Sequence, residues 1–451
     1  MDFALSPRAH ALRAQLVAFM DRYLLPYNAA WHAAVQAGEY PPPFLQDLKD
    51  LAREEGLWNL FLPALRGDEP GTRLSNLDYA PLAEAMGRLP WAAEVFNCHA
   101  PDSGNIELLH RFATPAQRAQ WLAPLLDGRM RSAFAMSEPD VASSDPTNLQ
   151  TTVRRDVGEG GGDGGDLVIH GRKWFITGAA HPHCKLLVVL CRNADADDAE
   201  SHQRHSMVLV PVDAPCVQIV RNISVVHHHA PEGHCEIVLQ GVRVPASHLL
   251  GEWGGGFAMA QARLGPGRVH HCMRTIGQCE LALQLATGRA LERTAFGKPL
   301  AEQANVQEWI AESRIEIDQA RLLVLHAAWL LDQGPQPEGS GADARAVRAE
   351  AEHARAVRAQ VAAIKVVAAR LQQRVVDRAM QIFGAMGLSP DTPLAAAWTW
   401  GRALRLMDGP DEVHLRTVAR HELARGRAAL GASAAYFTTP EQLRAPPRLT
   451  A

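Results

Sequence analysis

Several short segments of this chain hold residue types that could do chemistry together. In Phe134–Asp145 an apolar run turns at Pro139 and presents Ser143, Ser144 and Asp145 in a loop. Exposed backbone N–H groups and serine hydroxyls in such a turn are good donors to an anion, so a phosphate-bearing ligand suits it. An ordinary Ser/Asp-rich turn suits it equally well. Strand-like sequence resumes at Leu167–His170 and continues through Gly171–Thr177, setting Phe175, Ile176 and Thr177 side by side. Those three read as plain strand core or as the wall of a ligand site. Arg293, within Arg289–Leu300, has a fixed fork of donors that pairs with two phosphate oxygens at once; a surface pairing with Glu292 is the simpler reading. In Gln381–Gly387, Gly384 and Gly387 could let backbone approach a ligand, or could cap a helix. Asp408, followed by Gly409 and Pro410, is a turn carboxylate with Asp411 and Glu412 close behind it.

The elements that must position these residues fall into three zones. From Ser6 to about Leu126, apolar residues recur at helical spacing: Leu12, Leu16, Phe19, Met20 and Tyr23, then Phe44, Leu48, Leu51 and Leu57. Pro41–Pro43 marks the start of the second of these helices. From Ser132 to about Leu250, short β-branched and apolar runs alternate with turns: 167–169, 186–190, 207–210, 217–220, 236–239 and 242–244. That pattern predicts a small antiparallel barrel or sandwich. The glycine run Gly158–Gly165 reads as an elongated exposed loop with no chemical role. From Gly254 the helical spacing returns. Val357, Val361, Ile364, Leu371, Val375, Ala379 and Ile382 form a stripe that needs a partner helix, so a bundle is expected.

A chain of 451 residues with 47% hydrophobic content can bury a sizeable core, in about two to four domains. A formal charge of -4 makes no electrostatic case for nucleic acid or an acidic membrane surface. The seven cysteines are scattered and show no CxxC pairing, which argues against a disulfide framework and for a reducing compartment. No apolar run approaches the roughly 18 residues that span a bilayer, so stable membrane insertion is not expected and a cytoplasmic location is. His227–His229 with His234 and Cys235 fits no tetrahedral spacing, and no metal is expected there.

The segment Phe134–Asp145 resembles the flavin and acyl-CoA binding signature of the acyl-CoA dehydrogenases, an aromatic or aliphatic residue followed by x-x-T-E-P-x-x-G-S-D. Here it is one residue longer, carries Ser137 for Thr and lacks the glycine. The resemblance implies flavin contacts at Phe134, Met136, Ser137 and Ser144, with Ser144 also on the CoA side of the substrate. Lys173–Thr177 resembles the family's K-x-W-I-T, implying that Phe175 covers the flavin ring beside Ile176 and that Thr177 reaches flavin N5. In that register Trp174 would point to the opposite face of the strand. Arg289–Leu300 resembles Y-x-x-x-R-x-x-F-G-x-x-L, placing Arg293 and Phe296 against a flavin bound mainly to a neighbouring subunit. Gln381–Gly387 resembles Q-x-x-G-G-x-G with Ala385 at the second glycine, implying contacts from Gln381 and Gly384 across the same interface. Gln303 sits where relatives place a further flavin contact.

Leu406–His414 matches the family's Y-E-G-T-x-Q segment, which puts Asp408 in the place of the base, with one methylene less reach, and Gly409 beside the substrate. Glu412 falls among flavin contacts. The alternative base position of some relatives corresponds to Gly267 and is therefore lost, while Arg268 matches the substrate-contacting arginine. Gly265, Pro266 and Gly267 suggest a reshaped acyl pocket, followed by His270 and His271 on the same helix.

The resemblance covers essentially the whole chain and looks most like the branch of mammalian family members ten and eleven. It implies an α+β fold: an all-helical domain over 1–128, a middle antiparallel β-barrel or sandwich over 129–250, and a C-terminal four-helix bundle over 251–451. The implied reaction is FAD-dependent α,β-dehydrogenation of an acyl-CoA to the trans-2-enoyl-CoA. A desolvated carboxylate of raised pKa takes the α-proton and hydride passes to N5. Electrons would go on to an electron-transfer flavoprotein, and a homo-oligomer, dimer or tetramer, would complete the flavin site. An oxidase or oxygenase using O2, and a flavin-binding homologue without dehydrogenase activity, remain alternatives.

Overall fold

The computed structural model describes residues 4–156, 165–195, 200, 203–334, 344–430 and 436. The glycine run predicted as a loop lies outside the described residues except for Gly165. Helix α1 (Pro7–Phe19) starts at Ser6, whose hydroxyl accepts the Ala9 N–H at 3.1 Å, with Pro7 at the first helical position. It runs on through a π-turn (Met20–Leu24) and a 3-10 turn (Leu25–Tyr27) into α2 (Asn28–Gln36), an element the periodicity did not separate. Helix α3 (Phe44–Glu54) follows Pro41–Pro43 as predicted. Five more helices complete the zone: α4 (Asn76–Met86), α5 (Ala92–Val95), α6 (Asp102–Phe112), α7 (Pro115–Gln117) and α8 (Ala123–Leu126).

The middle zone is one sheet of β1 (Arg131–Ala135), β2 (Thr152–Asp156), β3 (Asp166–Thr177), β4 (Cys184–Asn193), β5 (His205–Pro211), β6 (Val217–Asn222), β7 (His234–Pro245) and β8 (Leu249–Leu250). Its order is β6-β7-β3-β2-β4-β5-β8, with β1 added on β4. Most pairs are antiparallel, but β1 and β2 each pair with β4 in parallel, a departure from the purely antiparallel expectation. The runs 236–239 and 242–244 are a single strand, β7, kinked at Gly241, whose φ is +74°. The unbroken apolar stretch of β4 has a physical reason. Leu186, Val188 and Leu190 face the core shared with the helices, while Leu187, Val189 and Cys191 face a second core within the sheet.

The helices then return as α9 (Gly256–Glu292), a small hairpin of β9 (Thr294–Ala295) and β10 (Lys298–Pro299), α10 (Ala304–Asp332), α11 (Ala344–Phe383), α12 (Leu394–Leu404) and α13 (Asp411–Ala428). The predicted stripe is the buried side of α11, with Val361, Ile364, Leu371, Val375, Ala379 and Ile382 in the core. Helix α9 also crosses α4 at glycine contact. A Cβ on Gly277 would lie 1.8 Å from the Glu84 carbonyl oxygen, and one on Gly87 2.1 Å from that of Arg274. Only glycine permits that approach.

A buried ion network fixes the sheet against the N-terminal helices. Glu94 takes Lys49 at 3.0 Å, Arg131 at 2.6 Å and the Tyr40 hydroxyl at 2.6 Å. Asp102 pairs with Arg131 and accepts the Ser132 N–H at 2.7 Å. Burial pushes the Glu94 carboxyl up, but Arg131 and Lys49 outweigh it and hold the group well below the usual carboxylate range. This network anchors β1, the strand that delivers Phe134. No helix among the described residues is long and apolar enough to cross a membrane.

Candidate active site

The loop after β1 is shaped by a residue whose role the sequence did not disclose. Glu138 is buried, accepts the Gln150 and Thr151 N–H groups at 2.7 and 2.9 Å, and pairs with Lys173 at 2.8 Å. Its own N–H donates to the Ser143 hydroxyl at 3.1 Å. Lys173 is fully buried and also donates to the carbonyls of Met136 (3.0 Å) and Leu190 (2.7 Å). Burial lowers the Lys173 ammonium pKa; at Glu138 the opposite push of burial is overcome by Lys173. The Ser137 carbonyl takes the Trp174 N–H at 3.0 Å. Ser144 is exposed, and Asp145 closes a turn by accepting from Thr147 N and Oγ1 at 3.1 and 2.6 Å.

Strand β3 corrects one expectation. Its pairing with β7 slips between Lys173 and Ile176, and Phe175 sits at φ +52°. Simple alternation therefore fails across Trp174 and Phe175, whose rings meet edge-on at 4.9 Å. Ile176 is buried core. Thr177 Oγ1 lies 2.9 Å from His234 Nδ1, and the His234 ring stacks on Trp400 of α12 at 6.4 Å. That contact ties the strand hydroxyl to the C-terminal helices.

Across the cleft, Arg263 of α9 lies over the Phe134 ring at 4.0 Å and donates to Asn105 Oδ1 at 2.8 Å. Arg268, one turn further along α9, donates from Nε to the Asp408 carbonyl at 2.8 Å; His414 Nε2 is 3.2 Å from the same oxygen. Asp408 adopts φ +54° between α12 and α13, and Gly409 follows at +101°. A Cβ on Gly409 would come within 2.8 Å of His414 Nε2, so glycine is required there. The Asp408 carboxylate Oδ2 lies 3.3 Å from His271 Nε2, and its side chain keeps 27% of its surface open, within reach of a substrate.

Burial alone would push the Asp408 carboxyl up. His271, Arg268, Arg263 and Lys365 around it pull harder, and it ends below the usual range. The cleft without substrate therefore holds an ionised carboxylate, against the expectation of a raised pKa. Asp411, close behind, is a buried clamp on Arg405 (2.9 Å) and Arg370 (3.1 Å). Glu412 is exposed on the same helical turn.

The remaining candidates gather elsewhere. Arg293 ends α9, and the hairpin after it turns at Phe296 and Gly297, with φ of +51° and +81°. Phe296 is 99% exposed. Arg293 makes no ion pair with Glu292 among the described residues. Gln303 begins α10, while Gln381 and Gly384 (φ +66°) end α11. Arg289 stacks over Phe383 at 5.6 Å and so joins the two helix ends. The stretch of α9 from Arg268 to Arg293 is about 37 Å long at the usual helical rise. One chain thus carries two groups of candidate residues, a cleft around Asp408 and a tip around Phe296, further apart than an extended dinucleotide reaches. Among the described residues no group of three His, Cys, Asp or Glu side chains is placed to hold a metal ion.

Comparison with known proteins gives this geometry its setting. Models of the N-terminal, middle and C-terminal domains of acyl-CoA dehydrogenases match residues 6–129, 133–242 and 254–423. The chain belongs to the acyl-CoA dehydrogenase family. It is 51% identical over 438 residues to FadE2 of Mycobacterium tuberculosis, named as an acyl-CoA dehydrogenase, covering 96% of this chain and 100% of that protein. It is 45% identical to mouse acyl-CoA dehydrogenase family member 10, covering 93% of this chain but 37% of that longer protein. Against the vertebrate family members 10 and 11, the chain spans about half the relative's length or less. The structure of a candidate acyl-CoA dehydrogenase from Mycobacterium abscessus superposes with a TM-score of 0.84 at 46% identity, covering 94% of this chain and 100% of that one.

The chain is therefore an oxidoreductase of the acyl-CoA dehydrogenase type with the mixed α+β fold of that family, whose members use FAD. The residues present fit such a group. The cleft offers the open ring of Phe175 and the Thr177 hydroxyl, and the tip offers the free Arg293 guanidinium beside an aromatic side chain with no packing partner of its own.

Proposed function

We propose that this protein oxidises an acyl-CoA thioester to the trans-2-enoyl-CoA, with Asp408 as the base that takes the α-proton. The observation that carries this reading is an ionised, partly open carboxylate, held in place through its backbone carbonyl by Arg268 and His414. Bound FAD would supply the hydride acceptor. Within the chain, Phe134, Met136, Ser137, Phe175, Ile176 and Thr177 would line the flavin side of the cleft, and Ser144 the side where the CoA enters. Gly409 would lie beside the thioester, next to the base. A substrate that fills the cleft removes water from Asp408 and moves its pKa up from the depressed resting value, toward that of a working base.

In this proposal Arg293, Phe296, Gln303, Gln381 and Gly384 complete the flavin site of a neighbouring copy, making the working form a homodimer or tetramer. Glu412, exposed at the start of α13, would be a further flavin contact. The domains would divide near 128 and 250, and the electrons would leave to an electron-transfer flavoprotein in the cytoplasm.

The test is anaerobic titration of the flavin-loaded protein with acyl-CoAs of varied length, branching and hydroxylation. Bleaching of the flavin absorbance by at least one of them supports the reading. If none bleaches it and CoA does not bind, the reading fails. Rapid peroxide formation once air is admitted would instead make the protein an oxidase.

A further inference from the structure

His271 touches the carboxylate of Asp408, and nothing in the reaction as described so far uses it. It stands one turn beyond Arg268 on α9, with Nε2 3.3 Å from Asp408 Oδ2. Its other ring nitrogen, Nδ1, takes a hydrogen bond from Arg274 Nη2 at 3.3 Å, while Arg274 Nη1 holds the Cys98 carbonyl at 3.3 Å. A guanidinium has donors only, so Nδ1 must be the acceptor. In a neutral ring the single proton then sits on Nε2, the nitrogen that lies 3.3 Å from Asp408 Oδ2.

The groups that face this ring come from three directions. Arg263, Arg268 and Arg274 share its helix, Lys365 comes from α11, and Asp408 with His414 from the segment around the start of α13. Burial and the nearby cations push the His271 imidazole down to about 4, so the ring is neutral at neutral pH. Among the described residues Oδ1 of Asp408 carries no hydrogen bond. At 3.3 Å the two groups are close but not aligned as a hydrogen bond, as catalytic contacts often are before substrate excludes water and tightens them.

We propose that His271 is a positioning residue for the base: its Nε2–H holds Oδ2 of Asp408 and leaves Oδ1 as the oxygen that takes the α-proton. This rests on Asp408 being the base. The proton balance is simple. The substrate C–H bond breaks, the proton joins Oδ1, and the electron pair stays on the α-carbon as hydride leaves the β-carbon for the flavin. His271 does not relay the proton onward, because Nε2 is already protonated and Nδ1 is occupied by Arg274. The ring also supplies what the short side chain lacks. An aspartate has one methylene less than a glutamate, and a rigid donor behind it fixes the direction in which its free oxygen points.

The experiment follows the pH dependence of anaerobic flavin reduction by an acyl-CoA in the flavin-loaded protein and in H271L, H271Q and D408N. Leucine keeps the bulk and removes the donor, whereas the glutamine amide nitrogen reaches about where Nε2 stood. H271L should move the acidic limb up by about one pH unit, because an anion that loses a donor binds its proton more tightly. Its plateau rate should fall on the order of tenfold through lost orientation. H271Q should return both toward the parent values. A limb in H271L that coincides with the parent, while D408N is inactive, overturns the role of His271 and leaves Asp408 as base. Bleaching that survives in D408N removes Asp408 as base, and the proposal with it. Should H271L fail to fold or to hold flavin, 15N chemical shifts of the parent protein decide. A neutral Nε2–H ring for His271 at pH 7 is the expected result; an Nδ1–H ring or an imidazolium overturns the proposal.

Discussion

The cleft and the tip sit at opposite ends of α9 and are built on opposite principles. The groups that shape the cleft take their partners from within the chain: Glu138 from Lys173 and two backbone N–H groups, the Asp408 carbonyl from Arg268 and His414, its carboxylate from His271 at 3.3 Å, and Thr177 from His234. The tip presents Phe296 at 99% exposure, Leu388 at 71%, and an Arg293 that makes no ion pair among the described residues. A soluble chain rarely leaves an aromatic side chain and a cation bare on a tight hairpin unless something covers them. A preorganised cleft can hold reacting atoms still. A bare tip can only finish a surface that another molecule begins.

The contrast can be broken most sharply at Asp408. D408N should reduce the rate of flavin bleaching by an acyl-CoA by about 10²- to 10⁴-fold, the range for loss of a general base, while flavin content stays at the parent level. Stopped-flow absorbance under nitrogen measures both. Next comes the bracing of the cleft. K173M leaves the Glu138 carboxylate buried without its partner and should cost about 3–5 kcal/mol of stability, seen as a large fall in the melting temperature. The tip should behave differently. F296A should leave the melting temperature of the isolated chain almost unchanged, yet weaken self-association or flavin retention about tenfold to a hundredfold, as expected for losing one buried aromatic. Sedimentation at graded concentrations, with the flavin followed by absorbance, reads this directly.

The smallest expected effect concerns acid. The folded-state pKa of Glu138 is depressed, so its contribution to stability is present above its ordinary carboxylate pKa and is lost as pH falls through the folded value. E138Q should therefore flatten the loss of stability between about pH 5 and 3 relative to the parent. A parent and variant that lose stability in parallel over that range would show that Glu138 is not the titrating brace.

Much of this arrangement could be read from residue order. The α11 stripe, the helix start after Pro43 and the strand runs from 186 to 210 follow from periodicity, because burial on one face imposes a repeat that survives in the sequence. Strands β1 and β2 escaped the pattern because Arg131 and Ser132, and four of the five residues Thr152–Asp156, are polar. Their stability comes from partners outside the strand itself, Asp102 for β1 and the antiparallel neighbour β3 for β2. The bulge at Phe175 was invisible for a related reason, since a single slip in register leaves no compositional trace. Asp408 and Arg293 could be singled out by motif. Glu138 and Asp411 could not be given their roles that way, because a buried ion pair depends on which residues the fold brings together.

The division of labour between cleft and tip is tested most directly by mixing two inactive variants. D408N has a ruined cleft and a sound tip, whereas R293E has a sound cleft and a ruined tip. If each cleft is completed by the tip of another copy, co-expressed assemblies should contain pairs in which a sound cleft meets a sound tip. Dehydrogenation should then reappear at a substantial fraction of the parent rate although neither variant is active alone. Mixed assemblies, isolated through distinct affinity tags, that remain as inactive as the separate variants would contradict the shared site.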